Sequence, residues 1–282
     1  MKEKLKTIVL VIIAILLIIG IVFVGKSIVN SKEEVKHPVA TFEIQDYGKV
    51  SMELYPEYAP NTVTNFIALI NSGFYNDKVI YGKDGIALYM ARANETSEDE
   101  EELDEDTTSN DNSVPTVSMI DDSVEEGSDE DYEYEINGEF IANNFQKNLL
   151  RHEKGVVSFN RSDYSDYGLT EESYNSGSFR FSVMMEDASS LNGLYCAFAK
   201  VTEGFDILEN IYNNAAVKAT EETEDAEESE EDESTVEEFD PKPVITSASV
   251  ETYGVDYGKP EVHEAFDIQS YINDLYSQYL SY

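Results

Sequence analysis

The sequence predicts a mainly β domain, a barrel or sandwich with helices covering its ends. Three observations carry this. Most apolar runs are short and alternate every second residue. Only two runs inside the domain have helical spacing. Two stretches rich in acid and free of Lys and Arg interrupt the pattern.

The elements follow in chain order. In PVATFEIQDYGKVSMELYP, Val39, Thr41 and Glu43 alternate with Ala40, Phe42 and Ile44; Gly48 turns the chain, and Val50 to Leu54 alternates again, as a hairpin does. Pro60 and Asn61 open a helix in which Val63, Phe66, Ile67 and Ile70 form one apolar face, and Gly73 stops it. GFYNDKVIYGKDGIALYMAR reads as strand, tight turn and strand around Gly82-Lys83-Asp84-Gly85. GVVSF is a short strand. In SFRFSVMM, Phe179, Phe181 and Val183 face one way, and Arg180, Ser182 and Met184 the other. GLYCAFAKV is a strand, EGFDILENIYN a second short helix and PVITSASVET a last strand. The tail, 255–282, carries Phe266, Ile272, Leu275 and Tyr279 at helical spacing. It is expected to be an amphipathic helix on the domain, with partner or membrane docking as the alternative.

Charge divides the 282 residues further. The net charge is −39, yet 32 of the 58 acids lie in two stretches, 19 in residues 95–135 and 13 in residues 221–240, neither holding a Lys or Arg. Such stretches repel themselves and bury little, so loops 93–135 and 217–240 are expected to be disordered insertions in a domain spanning 36–254. Calcium binding is the alternative, but no EF-hand loop pattern occurs. Nucleic acid is not expected as a partner. A single cysteine, Cys196, excludes an internal disulfide and a cysteine zinc site, and His37, His152 and His263 lack metal-ligand spacing. No phosphate-binding glycine motif or nucleophile elbow is present, so no metal or cofactor is expected.

Residues 1–30 stand apart. Lys2, Lys4 and Lys6 precede an apolar run from Ile8 to Val24. With Thr7 and Gly25 it counts about 19 residues, roughly 28 Å of helix, enough to cross a bilayer. The lysines favour a cytoplasmic amino terminus, making the chain a single-pass protein of the cell membrane with its domain outside the cytoplasm. A cleaved signal peptide is the competing reading, against which stand the length of the run and the lack of a small-x-small site.

The order of signatures resembles the cyclophilin-type peptidyl-prolyl isomerases. It is carried by Pro60, Asn65-Phe66, Gly73-Phe74-Tyr75, Gly138-Glu139-Phe140, Asn148, His152, Gly155, Ser158, Leu191-Asn192-Gly193 and Phe198. No one of these is specific; the series is. The resemblance implies a closed eight-stranded antiparallel barrel capped by two helices, with a groove for extended proline-containing polypeptides. Such a site must lower a barrier near 18–20 kcal/mol with no nucleophile or metal, by holding the twisted amide and donating to the prolyl nitrogen.

Against that family pattern the site is rewritten. Ile80, Tyr81 and Gly82 stand where the family has Phe, His and its catalytic Arg. Ala87 replaces a pocket Phe, and Ala91 and Arg92 replace two glycines. Arg180 replaces a groove Gln and Ser182 a second pocket Phe, while Phe159, Asn160 and Arg161 follow Ser158 in an altered strand. Leu191 and Tyr195 match the family's pocket Leu and its His or Tyr. The resemblance thus implies Arg180 as a stand-in for the missing guanidinium, or alternatively a solvated strand residue. Phe159, Asn160, Ser182, Leu191 and Tyr195 are the implied substrate contacts. The expected function is an isomerase assisting the folding of exported proteins, with activity reduced by the missing Arg. The alternatives are a non-catalytic proline-peptide or chaperone-like relative, and a structural surface protein.

Overall fold

The computed structural model describes residues 36–94, 114–218 and 236–280. Its centre is one nine-stranded sheet. Chain order gives β1 (Val39–Ile44), β2 (Gly48–Leu54), β3 (Val79–Lys83), β4 (Ala87–Arg92), β5 (Tyr134–Glu135), β6 (Val156–Phe159), β7 (Phe181–Met184), β8 (Cys196–Glu203), β9 (Glu237–Glu238), β10 (Ile245–Glu251) and β11 (His263–Glu264). The large sheet runs β10-β1-β2-β8-β6-β7-β4-β3-β9, antiparallel throughout, and β11 pairs with β5 separately.

The mainly β expectation holds, but the closed eight-stranded barrel does not: the sheet curls into an open half-barrel. The backbone shows why. The start of β3 meets the lead into β10 through one isolated bridge, Val79 to Val244, and a few bonds such as Ile80 N–H to the Pro243 carbonyl at 2.9 Å. Pro241 and Pro243 have no N–H to donate, so no ladder forms across this seam. The end of β3 instead pairs with β9, Gly82 with Glu238 and Lys83 with Glu237.

Helix α1 (Pro60–Asn71) packs its buried face, Val63, Phe66, Ile67 and Ile70 included, into the main core. Its Phe66 ring lies 4.9–5.9 Å, centroid to centroid, from Phe42, Tyr75, Phe181 and Phe198. Proline opens the helix, and its first free N–H groups are taken by the buried Glu139 carboxylate, from Asn61 at 3.0 Å and Thr62 at 2.7 Å. A short helix α2 (Thr170–Tyr174) precedes β7. Helix α3 (Phe205–Asn214) buries Leu208 and Ile211. It starts at Gly204, whose φ is +75° and whose Cβ would lie 2.3 Å from the Lys49 carbonyl oxygen, so no other residue fits. Helix α4 (Ile268–Leu280) supplies the expected C-terminal helix.

The acidic insertions need correction at their ends. Residues 114–135, expected to be disordered, are folded: Val117–Met119 form a 3₁₀ turn, Thr116 bridges Glu133, and Val117 and Tyr134 are buried. Acidic composition hid an apolar series, Val114, Val117, Met119, Ile120, Val124 and Tyr132, that packs on the main core. The second insertion likewise ends in order, with Phe239 buried and bridged to Val217. Residues 95–113 and 219–235 lie outside the described residues, as does the expected anchor over residues 1–30. Among the described residues no helix is long and apolar enough to cross a membrane.

Candidate functional site

The hairpin β3–β4 forms one wall. Asp84 closes its turn: its carboxylate accepts the Ile86 and Ala87 N–H groups at 2.8 and 2.7 Å and the Tyr89 hydroxyl at 2.7 Å. In β3, Ile80 and Gly82 are buried while Tyr81 and Lys83 are half-buried on the opposite face. In β4, Tyr89 and Arg92 are half-buried, and Ala91 holds φ +73°, the left-handed conformation natural to the glycine that the family resemblance places there. The hairpin register shifts around Ile80, and this bulge re-aims Tyr81.

Gly82 therefore cannot be a groove residue. A Cβ there would lie 2.6 Å from the Glu237 carbonyl oxygen and 2.6 Å from a Val236 methyl. The groove position belongs to Tyr81. Its ring lies 5.9 Å from that of Tyr89, and the Arg92 guanidinium stacks on it at 5.0 Å while pairing with Glu238. Burial pushes the Tyr81 phenol up; the Arg180 and Arg92 charges and a hydrogen bond from Asn160 pull partly against it.

The second wall is β6–β7. Ser182 faces Tyr89 across β4–β7 and donates to the Asn160 amide oxygen at 3.0 Å. Asn160 N–H donates to the Arg180 carbonyl at 2.9 Å, so Asn160 and Arg180 lie opposite one another at the strand ends. Arg180 is exposed, its guanidinium 5.8 Å from the Phe179 ring. Asn160, Arg180, Arg161 and Arg92 line a cavity of about 330 Å³, whose far side carries Glu133 and Glu135.

The expected contacts therefore separate into groups. Arg180 and Asn160 come together on the cavity. Ser182 is on the same face but buried, at 4 % exposure, so it is not an open pocket wall. Leu191 is half-buried in a 3₁₀ turn and joins Ile86, Tyr89 and Leu150 in a small cluster over Ala87, Met184 and Ala197. Tyr195 is half-buried with its ring 4.5 Å from the Arg161 guanidinium. Phe159 is a correction: it is buried at 4 %, packs 5.8 Å from the Phe198 ring, and belongs to the core. Sequence reasoning missed Tyr81 as a groove residue, although its alternation with Ile80 and Gly82 carries the signal. It also missed the pairing of Arg161 with Tyr174, for which no sequence signal exists.

The side chains facing this groove offer hydrogen-bond donors and charge, not a nucleophile. Burial pushes the Cys196 thiol up to about 12, leaving it unreactive. Among the described residues no three His, Cys, Asp or Glu side chains converge on a metal site. A guanidinium and a phenol beside an apolar cluster can bind and polarise an amide.

Residues 39–233 match the family model for cyclophilin type peptidyl-prolyl cis-trans isomerase: the chain belongs to that family. A curated relative, peptidyl-prolyl cis-trans isomerase B of Bacillus subtilis (strain 168), is 25 % identical over 177 residues, 63 % of this chain and 92 % of the relative. Two crystal structures of a Cryptosporidium parvum cyclophilin type peptidyl-prolyl cis-trans isomerase, one of them in the presence of the dipeptide Ala-Pro, match at 14 % identity with TM-scores of 0.47 and 0.48. Each match covers 76 % of this chain and 98 % of the other.

Proposed function

We propose that this chain is a slow peptidyl-prolyl isomerase that binds extended proline-containing segments of exported proteins in the Tyr81–Arg180 groove. The observation that carries the slowness is Gly82. It bears no guanidinium and is closed off by β9, so the donor to the twisted amide must come from elsewhere. Arg180, immediately before β7, supplies it, its charge acting on the Tyr81 phenol. An exposed arginine is less preorganised than one braced within a strand wall, and loosely held donors stabilise a transition state less. The location is read from residues 1–30, whose lysines and apolar run fit a membrane anchor with the domain outside the cytoplasm.

The test is isomerisation of an X-Pro peptide, followed by exchange spectroscopy, with the full chain and with Arg180→Gln. Measurable acceleration that falls about 10²-fold in Arg180→Gln supports the reading. A second reading, a non-catalytic proline-peptide binder, draws on Ser182, a buried polar residue paired with Tyr89 across β4–β7 where the family resemblance implies a pocket Phe. No acceleration by the unsubstituted chain, together with peptide-induced shifts in groove resonances, would replace the first reading by this one.

A further inference from the structure

Arg161 is held unlike any other cation described in the chain. Its guanidinium lies between two tyrosine rings, 4.5 Å from the Tyr195 centroid and 5.1 Å from that of Tyr174. Nη1 donates to the Ser162 carbonyl at 3.2 Å, and Nε is one of two buried side-chain polar atoms without a hydrogen-bond partner among the described residues. Carboxylates pair with Arg92 and with several lysines, but among the described residues none forms an ion pair with Arg161. Asp163, two positions on, feels its charge but turns to accept the Ser165 N–H at 2.9 Å. This occurs in a chain of net charge −39, where carboxylates are plentiful. Two rings this close restrict the guanidinium, whose Nη1 and Nη2 hydrogens offer the forked donor geometry that matches a carboxylate.

Arg161 lines the same cavity as Asn160 and Arg180. The carboxylates across this cavity do not reach the fork as partners. Glu135 accepts the Phe266 N–H at 3.1 Å, which ties it to the C-terminal segment, and neither Glu133 nor Glu135 forms an ion pair with Arg161 among the described residues.

We propose that Arg161, clamped by Tyr174 and Tyr195, is a carboxylate-recognition subsite of this groove, selecting proline segments that carry an acidic group near the proline. The inference rests on the proposed peptide-binding reading and adds to it the substrate class. Arg161 acts here as a specificity residue, and Arg180 keeps its place at the amide.

The experiment uses the full chain in non-ionic detergent at 0.15 M salt. Titrations are made with acetylated, amidated hexapeptides containing one proline, in which glutamate or its neutral isostere glutamine is moved through each flanking position. At one position glutamate should bind about tenfold tighter than glutamine, the lower end of what a charge-assisted fork contributes. That preference should vanish in Arg161→Gln and shrink in Arg161→Lys, which keeps the charge without the fork, while thermal midpoints confirm that both variants fold. A neutral peptide with a free carboxyl terminus tells whether a terminal carboxylate serves in place of the side chain. Neutral proline peptides that bind with no glutamate preference, or a preference that survives Arg161→Gln, overturn the subsite and leave the isomerase reading standing. A glutamate preference that persists when proline is replaced by alanine supports Arg161 as a carboxylate receptor and removes the prolyl reading. Failure of every peptide to bind removes both.

Discussion

Placing an arginine at position 82 should not restore a site. Family resemblance puts the catalytic guanidinium there, so Gly82→Arg looks like a repair. The structure makes it a lesion. The clash starts at Cβ, 2.6 Å from a carbonyl oxygen of the β9 backbone, so even Gly82→Ala forces β9 outward. Overpacking of this kind costs about 1–3 kcal/mol. If β9 detaches, the Phe239 N–H bond to the Tyr81 carbonyl, 2.9 Å long, is lost, and Phe239, at 1 % exposure, meets water. That adds about 2 kcal/mol. For a domain of this size each kcal/mol corresponds to about 2–4 °C in melting temperature. Both variants should therefore melt about 6–20 °C lower by calorimetry, taking the combined cost near 3–5 kcal/mol, and Gly82→Arg should not accelerate X-Pro isomerisation. A Gly82→Arg chain that melts with the unsubstituted protein, or isomerises more than tenfold faster, would refute the assignment of Tyr81 rather than residue 82 to the groove.

Two further outcomes concern the frame that holds the groove. Asn65 is fully buried on α1, donating to the Ser178 carbonyl at 2.7 Å and accepting from the Tyr134 hydroxyl at 2.7 Å. Asn65→Ala leaves both partners unpaired in the core and should cost about 2–4 kcal/mol in a denaturant titration; a loss under about 1 kcal/mol would mean water replaces the amide. His152 is buried, with Nδ1 donating to Asn192 at 3.2 Å and Nε2 accepting from Ser158 at 3.0 Å. Burial holds its pKa below the usual histidine range, so the unfolded chain binds the proton more readily. Its contribution to stability is complete above the ordinary value of 6.5 and declines as pH falls from there through the folded pKa. Stability measured from pH 7.5 down to pH 5 should fall more steeply in the unsubstituted chain than in His152→Gln; parallel curves would contradict this.

What the sequence alone determined is what local chemistry controls. Alternation placed β1 and β2 near their observed bounds, apolar runs broken by a Gly-Lys-Asp-Gly turn placed β3 and β4, and the i, i+3, i+4 face of Val63, Phe66, Ile67 and Ile70 placed α1, because side-chain pattern reports which face is buried. The loss of the family arginine was legible too, since no register of Ile80, Tyr81 and Gly82 supplies one. Tertiary structure decided the rest. Acidic composition could not show that Val117, Tyr134 and Phe239 find a core distant in sequence, because burial depends on partners and not on neighbours along the chain. Nor could spacing show that Pro241 and Pro243 leave the barrel seam unladdered, that Gly82 lies beneath β9, or that Tyr174 and Tyr195 close on Arg161. Each is a contact between separate segments, set by how the sheet curls.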